Sequence, residues 1–266
     1  MANPVQVQVH FAYDDGSTIV VPIGPPVYTP GGSTPPPSGY TPSLPADVAS
    51  RLNPTPIYDT QFANIQWGQV WTNKWWGGNT FNQQPLDPNN ITFLSSGGVS
   101  IGVSNGGRTG CMMHTNPADA NSQGFQFSYG YAEADIECPQ NPAWFAWWDN
   151  GQNWPVDGEN DTLEWLMGSG SHFASTNYHW GPDVNSDHPV NSGPISGNWS
   201  GRHKFGNLRT NDNSGTTARY WDGKLVKSIP AGDKGAPHYL LLSIGDRNNG
   251  GQGPVIVHRV TVWELK

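Results

Sequence analysis

From residue 57 to the C-terminus the chain is a succession of short runs in which apolar residues alternate with polar ones, each closed by Gly, Pro, Asn or Ser. The runs are FANIQWGQVW, ITFLSSGGVSIGV, GCMMH, GFQFSYGYAEADIEC, PAWFAWW, DTLEWLM, ASTNYHW, HKFGNLRT, ARYWDGKLV, HYLLLSIG and VIVHRVTVW. No stretch repeats its apolar residues at helical spacing. Strand and turn signals at this density predict an all-β sandwich. Charged residues make up only 13% of the sequence, and the abundance of Gly and Pro suits short strands joined by many turns. A length of 266 residues supports one large core plus an appendage. No solenoid or propeller period is evident.

The appendage is N-terminal. Val5, Val7, Val9 and Phe11 alternate with Gln6, Gln8 and His10, and Asp14, Asp15 and Gly16 form a turn signal before Thr18–Val21. This predicts a β-hairpin over residues 1–21. Two strands alone are marginal in water, so the hairpin needs a neighbour: the main domain, a second copy or a larger assembly. Residues 22–45 are Pro-rich and uncharged, a spacer that favours extended conformations, and one helical turn is expected over Ala46–Leu52. The division expected is therefore hairpin 1–21, linker 22–56 and sandwich domain 57–266.

A net charge of -8, a pI near 5.3 and the lack of any Lys/Arg cluster argue against nucleic acid as a partner. No apolar run reaches the 18 residues of a membrane-spanning helix, so no membrane partner is expected. The opening MANPVQVQVHFAYDD has neither the basic nor the apolar region of a secretory signal. Thirteen Trp residues are suited to stacking on sugar rings, although most buried Trp serve packing. Cys111 and Cys138 are compatible with one disulfide or with two buried thiols.

The chemistry concentrates in WPVDGENDTLEW, Trp154 to Trp165, where Glu159, Asp161 and Glu164 lie between aromatic residues. In a regular strand Glu159 and Asp161 share a face and Glu164 points away. A β-bulge at Thr162 or Leu163 adds one residue and returns Glu164 to the same face. The two Glu backbones then stand about 13 Å apart, at ~3.3 Å per residue over four effective steps, and their side chains can lean together. Two such carboxyls supply the nucleophile and acid/base of a retaining glycosidase at close separation, or the pair of an inverting one at wider separation.

This run resembles the E-x-D-x-x-E signature of glycoside hydrolase family 16, in its bulged, laminarinase-like branch. YGYAEADIECP (Tyr129 to Pro139) is similar to the family's YGxxEARIxxP strand, and PAWFAWW (Pro142 to Trp148) to its PAFWLLP strand. STNYHWG (Ser175 to Gly181) resembles the strand bearing a His near the catalytic acids. HKFG, YWDGKLV, YLLLSIG and VHRVTVW follow in family order, so the resemblance covers roughly residues 57–266. It implies a jelly roll of two curved antiparallel sheets whose concave face forms the sugar cleft. It also implies Glu159 as nucleophile, Asp161 as its assistant and Glu164 as general acid/base, with Trp154, His179, Trp180 and Trp144 binding substrate. The chain departs from the pattern twice. The core-facing position after the nucleophile is usually apolar, and here it is Asn160. Near the C-terminus, His258 stands where the family often has an Asp associated with a structural calcium, so no cofactor or metal is called for.

The function expected is that of an endo-acting retaining glycosidase on a β-linked polysaccharide, a β-1,3-glucan or a galactan type, with the polysaccharide or its oligosaccharides as partner. The rival is a carbohydrate-binding or structural component of a larger particle such as a phage virion. In that case residues 1–45 would mediate homo-oligomer or virion assembly. The localisation expected is extracellular or virion-associated. The polar loop Gly181–Gly201 carries Asp183, Asp187 and His188 at spacings that match no standard ligand pattern, and is read as a solvated cleft rim. His114 and His172 are read as ordinary strand or loop residues.

Overall fold

The computed structural model describes residues 7–12, 18–23, 44–75, 78–119, 121–168, 171–210, 216–230, 235–245 and 250–266. The chain divides into two compact units, Met1–Pro37 and Ser38–Lys266. In the first, strands Val7–Ala12 and Thr18–Ile23 pair antiparallel, with Val7 opposite Ile23 and Ala12 opposite Thr18. The predicted turn at Asp14–Gly16 and the Pro-rich stretch from residue 24 to 43 lie outside the described residues.

The alternation read in the sequence sorts the second unit into two antiparallel layers. Among the described residues, a back sheet of eight strands runs Lys224–Pro230, Thr216–Trp221, Gly201–Arg209, Gly130–Cys138, Val255–Glu264, Val99–Ile101 and Ile91–Phe93, with Tyr58–Thr60 also paired to Val255–Glu264. A front sheet of seven runs Val190–Asn191, Ser171–His179, Glu159–Gly168, Trp144–Asn150, His238–Gly245 and Cys111–His114, with Gln126–Phe127 also paired to His238–Gly245. The inward residues of both sheets form one core, in which Ala134, Ile136 and Val260 share a cluster with Phe145, Trp147 and Leu242. The result is the expected jelly-roll sandwich.

Two smaller clusters cover the outer faces. On the back sheet, Val48 and Leu52 of the short helical segment after residue 45 pack on Tyr131, Leu208, Tyr220 and Trp263. That segment is fastened by Asn53 N donating to Glu264 O at 2.9 Å and by Tyr220 Oη donating to Asp47 Oδ2 at 3.0 Å. On the front sheet, Met112, Ala146, Trp148, Tyr239 and Leu241 form an apolar floor against which Trp75, Phe81 and Leu86 pack.

Not every predicted strand forms. FANIQWGQVW has buried Phe62 and Trp71, yet Phe62 and Asn64 adopt φ of 59° and 61°, which bends the chain into turns. ITFLSSGGVSIGV is two strands, Ile91–Phe93 and Val99–Ile101, joined where Leu94 N donates to Gly98 O at 3.0 Å. Cys111 and Cys138 are both buried free thiols, and burial pushes each up to about 12.

Candidate active site

The bulge lies where spacing predicts it. Trp148 stands opposite Asp161 while Trp147 stands opposite Leu163, leaving Thr162 as the extra residue. On the other flank Asp161 faces Asn177 and Glu164 faces Ser175. The Thr162 carbonyl accepts a hydrogen bond from Trp221 Nε1 of the back sheet at 3.1 Å, which holds the irregular backbone against the core. Glu159, Asp161 and Glu164 consequently share the outer face of the front sheet, with Leu163 and Trp165 in the core.

Those three carboxyls line a cleft of about 720 Å³. Its walls and floor include Trp75, Phe81, Trp144, Trp148, Trp154, His179 and Tyr239, together with the polar Asn82, Gln84, Asn150, Gln152 and Ser243. Phe81 stacks on Trp148 with ring centroids 6.0 Å apart, and Trp75 meets Phe81 edge-on at 5.3 Å. Trp154 is 41% exposed at the rim. The loop that carries it is closed by Gly151 N donating to Gly158 O at 3.1 Å and by Asn153 N donating to Asp157 Oδ2 at 2.9 Å. Gly158, at φ +87°, makes the turn into the Glu159 strand.

Of the expected substrate residues, Trp144, Trp154 and His179 line the cleft and Trp180 is not among its lining residues. Trp180 follows the last residue of the strand Ser171–His179, and its ring lies 5.1 Å from that of His188.

Each carboxyl has a distinct environment. Glu164 Oε1 accepts from Trp144 Nε1 at 3.0 Å, and Oε2 accepts from Asn177 Nδ2. His179 Nε2 lies 3.9 Å from Glu159 Oε1 and 3.7 Å from Asp161 Oδ2, and its Nδ1 lies 2.8 Å from Asp187 Oδ2. Asp161 Oδ2 is buried and without a hydrogen-bond partner among the described residues. Burial is the leading cause that raises all three acids above their ordinary values, and for Glu159 and Asp161 repulsion from neighbouring carboxylates adds to it. Glu159 is pushed up to about 7, partly offset by His179. Asp161 is raised by the charges of Glu164 and Glu159 on top of burial. Glu164 is raised by burial against the opposing pull of the Trp144 and Asn177 hydrogen bonds.

Behind the acids, the core carries a polar network that apolar periodicity cannot reveal. Asn160 Nδ2 donates to Asp149 Oδ1 at 2.9 Å, and Asn160 Oδ1 accepts from Arg219 Nη2 at 3.0 Å. Asp149 also meets His238 Nδ1 at 2.6 Å and accepts from Asn207 Nδ2 at 2.9 Å. Arg219 Nε donates to Thr176 Oγ1 at 3.0 Å, and Thr176 Oγ1 donates to the Asp161 carbonyl at 2.6 Å. Burial pushes the Asp149 carboxyl upward, but the His238 contact, the Arg209 charge and the Asn160 hydrogen bond outweigh it and hold the carboxyl below its ordinary value.

The loop read as a mere rim thus supplies a working group, because Asp187 reaches His179; Asp183 serves only its own turn, accepting from Asn185 N at 2.8 Å. Sequence reading also missed Asn177 and the aromatic wall of Trp75 and Phe81. Asn177 had a signal: it sits two residues before His179 and so shares its face. His114 is a buried structural residue, with Nε2 2.8 Å from the Lys74 carbonyl and burial lowering its pKa. His172 Nδ1 lies 3.2 Å from Asn141 Oδ1. At the position linked to a structural calcium, His258 Nε2 lies 3.0 Å from Glu137 Oε2. A ring nitrogen beside one carboxylate does not fit the all-oxygen ligand set that calcium takes.

The two-sheet jelly roll is shared with solved structures of glycoside hydrolase family 16 enzymes, and the chain has the laminarinase-like form of that fold. The Bacteroides ovatus family 16 endo-glucanase superposes with a TM-score of 0.61 at 18% identity, covering 77% of this chain and 99% of that one. The laminarinase catalytic domain of Thermotoga maritima gives 0.58 at 18% identity, covering 79% and 98%. Porphyranase B of Zobellia galactanivorans gives 0.57 at 14% identity, covering 78% and 90%. No family model and no curated protein matches the chain.

Proposed function

We propose that this protein is an endo-acting retaining hydrolase of β-linked polysaccharide, of β-1,3-glucan or galactan type. The observation that carries the reading is the bulged strand, which sets Glu159, Asp161 and Glu164 together on the floor of an open aromatic cleft. A cleft lined by Trp rings accepts a chain at any point along its length and stacks on sugar faces. In the first step Glu159 attacks the anomeric carbon and forms a glycosyl ester, while Glu164 gives its proton to the departing glycosidic oxygen. In the second, Glu164 takes a proton from water, the water oxygen attacks the anomeric carbon, and the Glu159 carboxylate is released. The raised Glu164 carboxyl suits the acid role. Burial and the charges of Glu164 and Glu159 raise Asp161 as well, so its carboxyl parts with its proton less readily than a free one. The similar folds whose names are a laminarinase, an endo-glucanase and a porphyranase support a β-glycan in the cleft.

The test is product release from laminarin, mixed-linkage glucan, agar, porphyran, carrageenan and galactan, with wild type run beside Glu159→Gln. Cleavage of one polymer with retained anomeric configuration, lost in the variant, is the expected result. Undiminished cleavage by Glu159→Gln removes the assignment. Binding without cleavage by wild type favours a carbohydrate-binding component instead.

A further inference from the structure

His179 is built like a metal ligand. Its Nδ1 is engaged by Asp187 Oδ2 at 2.8 Å, which orients the ring and directs Nε2 into the cleft between Glu159 and Asp161. A carboxylate that fixes one imidazole nitrogen while the other faces further donors is the arrangement that supports metal-bound histidines. At 3.7 and 3.9 Å, Nε2 is too far from either carboxylate oxygen for a hydrogen bond. A cation held at about 2.0–2.2 Å by each donor would set tetrahedral ligands roughly 3.3–3.6 Å apart. The donor atoms of Glu159, Asp161 and His179 all lie within 4.8 Å of one another, so side-chain adjustments of about an ångström bring them to that spacing. An independent observation points the same way. Asp161 Oδ2 is buried in this cluster with no hydrogen-bond partner among the described residues, a cost that a cation would relieve.

We propose that Glu159, Asp161 and His179 form a three-ligand site for one borderline divalent cation of the Zn²⁺ type, with Asp187 orienting the imidazole and the fourth position open to the cleft. One nitrogen and two carboxylate oxygens suit Zn²⁺, whereas Mg²⁺ demands near-octahedral oxygen coordination and keeps its waters. A cation here occupies the nucleophile, so cation and glycan compete for the cleft. The competition rests on the hydrolase reading; the binding does not.

The test is calorimetric titration of the full, chelator-stripped chain with zinc chloride and, separately, magnesium chloride. One Zn²⁺ per chain is expected, with no binding of Mg²⁺ over the same range. His179→Ala should abolish the event, and Asp187→Asn should weaken it by about 10- to 100-fold. Zinc should also inhibit glycan cleavage competitively in wild type. No zinc binding by wild type, or an affinity that both variants leave unchanged, overturns the site; the latter would assign the zinc to surface histidines such as His203 or His258. Circular dichroism checks that each variant is folded, and Asp187→Asn, on a loop, carries the test if His179→Ala is not. Zinc bound as described by a chain that cleaves no glycan sinks the hydrolase reading and leaves the site standing. Cleavage without zinc binding does the reverse.

Discussion

Asn160 and Asp149 stand opposite one another on adjacent strands, both turned into the sandwich, and the Asn160 amide donates to Asp149 Oδ1 at 2.9 Å. The residue that breaks the apolar pattern after Glu159 therefore packs well: it joins Asp149 to Arg219, a fully buried cation from the other sheet. The same arginine reaches Thr176, whose hydroxyl holds the Asp161 carbonyl. The strand that carries the acids is thus tied from behind by charge-assisted hydrogen bonds in a low-dielectric core, where such bonds are strong and their loss is costly.

Restoring an apolar side chain should accordingly harm the protein. Asn160→Leu strips a donor from Asp149 and an acceptor from Arg219, both buried, at a cost of about 3 kcal/mol. Urea unfolding of the variant beside wild type measures it. A variant as stable as wild type would mean that the network relaxes around an apolar residue and that Asn160 contributes nothing to holding the strand.

The raised Glu159 carboxyl has a consequence for stability. Its proton is bound more tightly in the folded chain, where burial moves it from 4.5 to about 7, than in the unfolded one. The stability this contributes is complete below about pH 4.5 and is lost as pH rises through about 7. Glu159→Gln removes the charge at every pH. The variant should match wild type near pH 4 and exceed it near pH 8 by up to about 3 kcal/mol, seen as a higher midpoint in thermal unfolding. A variant advantage that is largest at acid pH would reverse the sign and sink this account.

How far the sequence could be read depends on which residues carry each feature. Period-two alternation in PAWFAWW separates Phe145 and Trp147 from Trp144, Ala146 and Trp148, and the structure puts the first pair in the core and the second set along the cleft. The bulge was legible because a one-residue phase error between Asp161 and Glu164 has a single local remedy. The Arg219–Asn160–Asp149 network was not, since its members lie 59 and 11 residues apart and each alone looks like a surface residue. Nor was the part played by Asp187, which depends on how a loop rich in Gly and Pro folds back on His179. Trp180, expected at a sugar subsite, is not among the cleft-lining residues; it follows the last residue of the His179 strand, where period-two alternation no longer fixes its direction.

Trp144 couples packing to chemistry. Its indole donates to Glu164 Oε1 at 3.0 Å and draws that carboxyl down against the effect of burial. Trp144→Phe keeps a ring and removes the donor, so Glu164 should hold its proton to higher pH. On the proposed mechanism the basic limb of the kcat/KM profile moves to higher pH, with about a tenfold loss of kcat/KM from the missing charge-assisted bond. A pH profile of unchanged shape would show that the indole acts only as a wall of the cleft.

Gly158 sets the direction from which the chain enters the strand that carries Glu159, Asp161 and Glu164. Its φ of +87° lies where L side chains are rarely found, and an added Cβ would sit 2.5 Å from the hydroxyl of the fully buried Tyr178. Gly158→Ala should cost about 2–3 kcal/mol in chemical unfolding and displace the loop that holds Trp154. Wild-type stability in this variant would mean that the turn can be made with negative φ.

The chain divides into two compact units at Ser38, and two truncations separate what the residues on each side of that boundary contribute to stability. A chain that starts at Ser38 keeps Leu44, Val48 and Leu52 on the outer face of the back sheet, together with the Asn53–Glu264 and Asp47–Tyr220 hydrogen bonds. It should unfold at the wild-type midpoint. A chain that starts at Asn53 loses Val48 and Leu52, which are 0% and 2% exposed, and opens Tyr131, Leu208, Tyr220 and Trp263 to water. At about 1.5–3 kcal/mol for each buried aliphatic side chain, it should lose about 4 kcal/mol and become prone to self-association through the uncovered face. Equal losses from both truncations would show that the residues before Ser38 contribute to the stability of the sandwich.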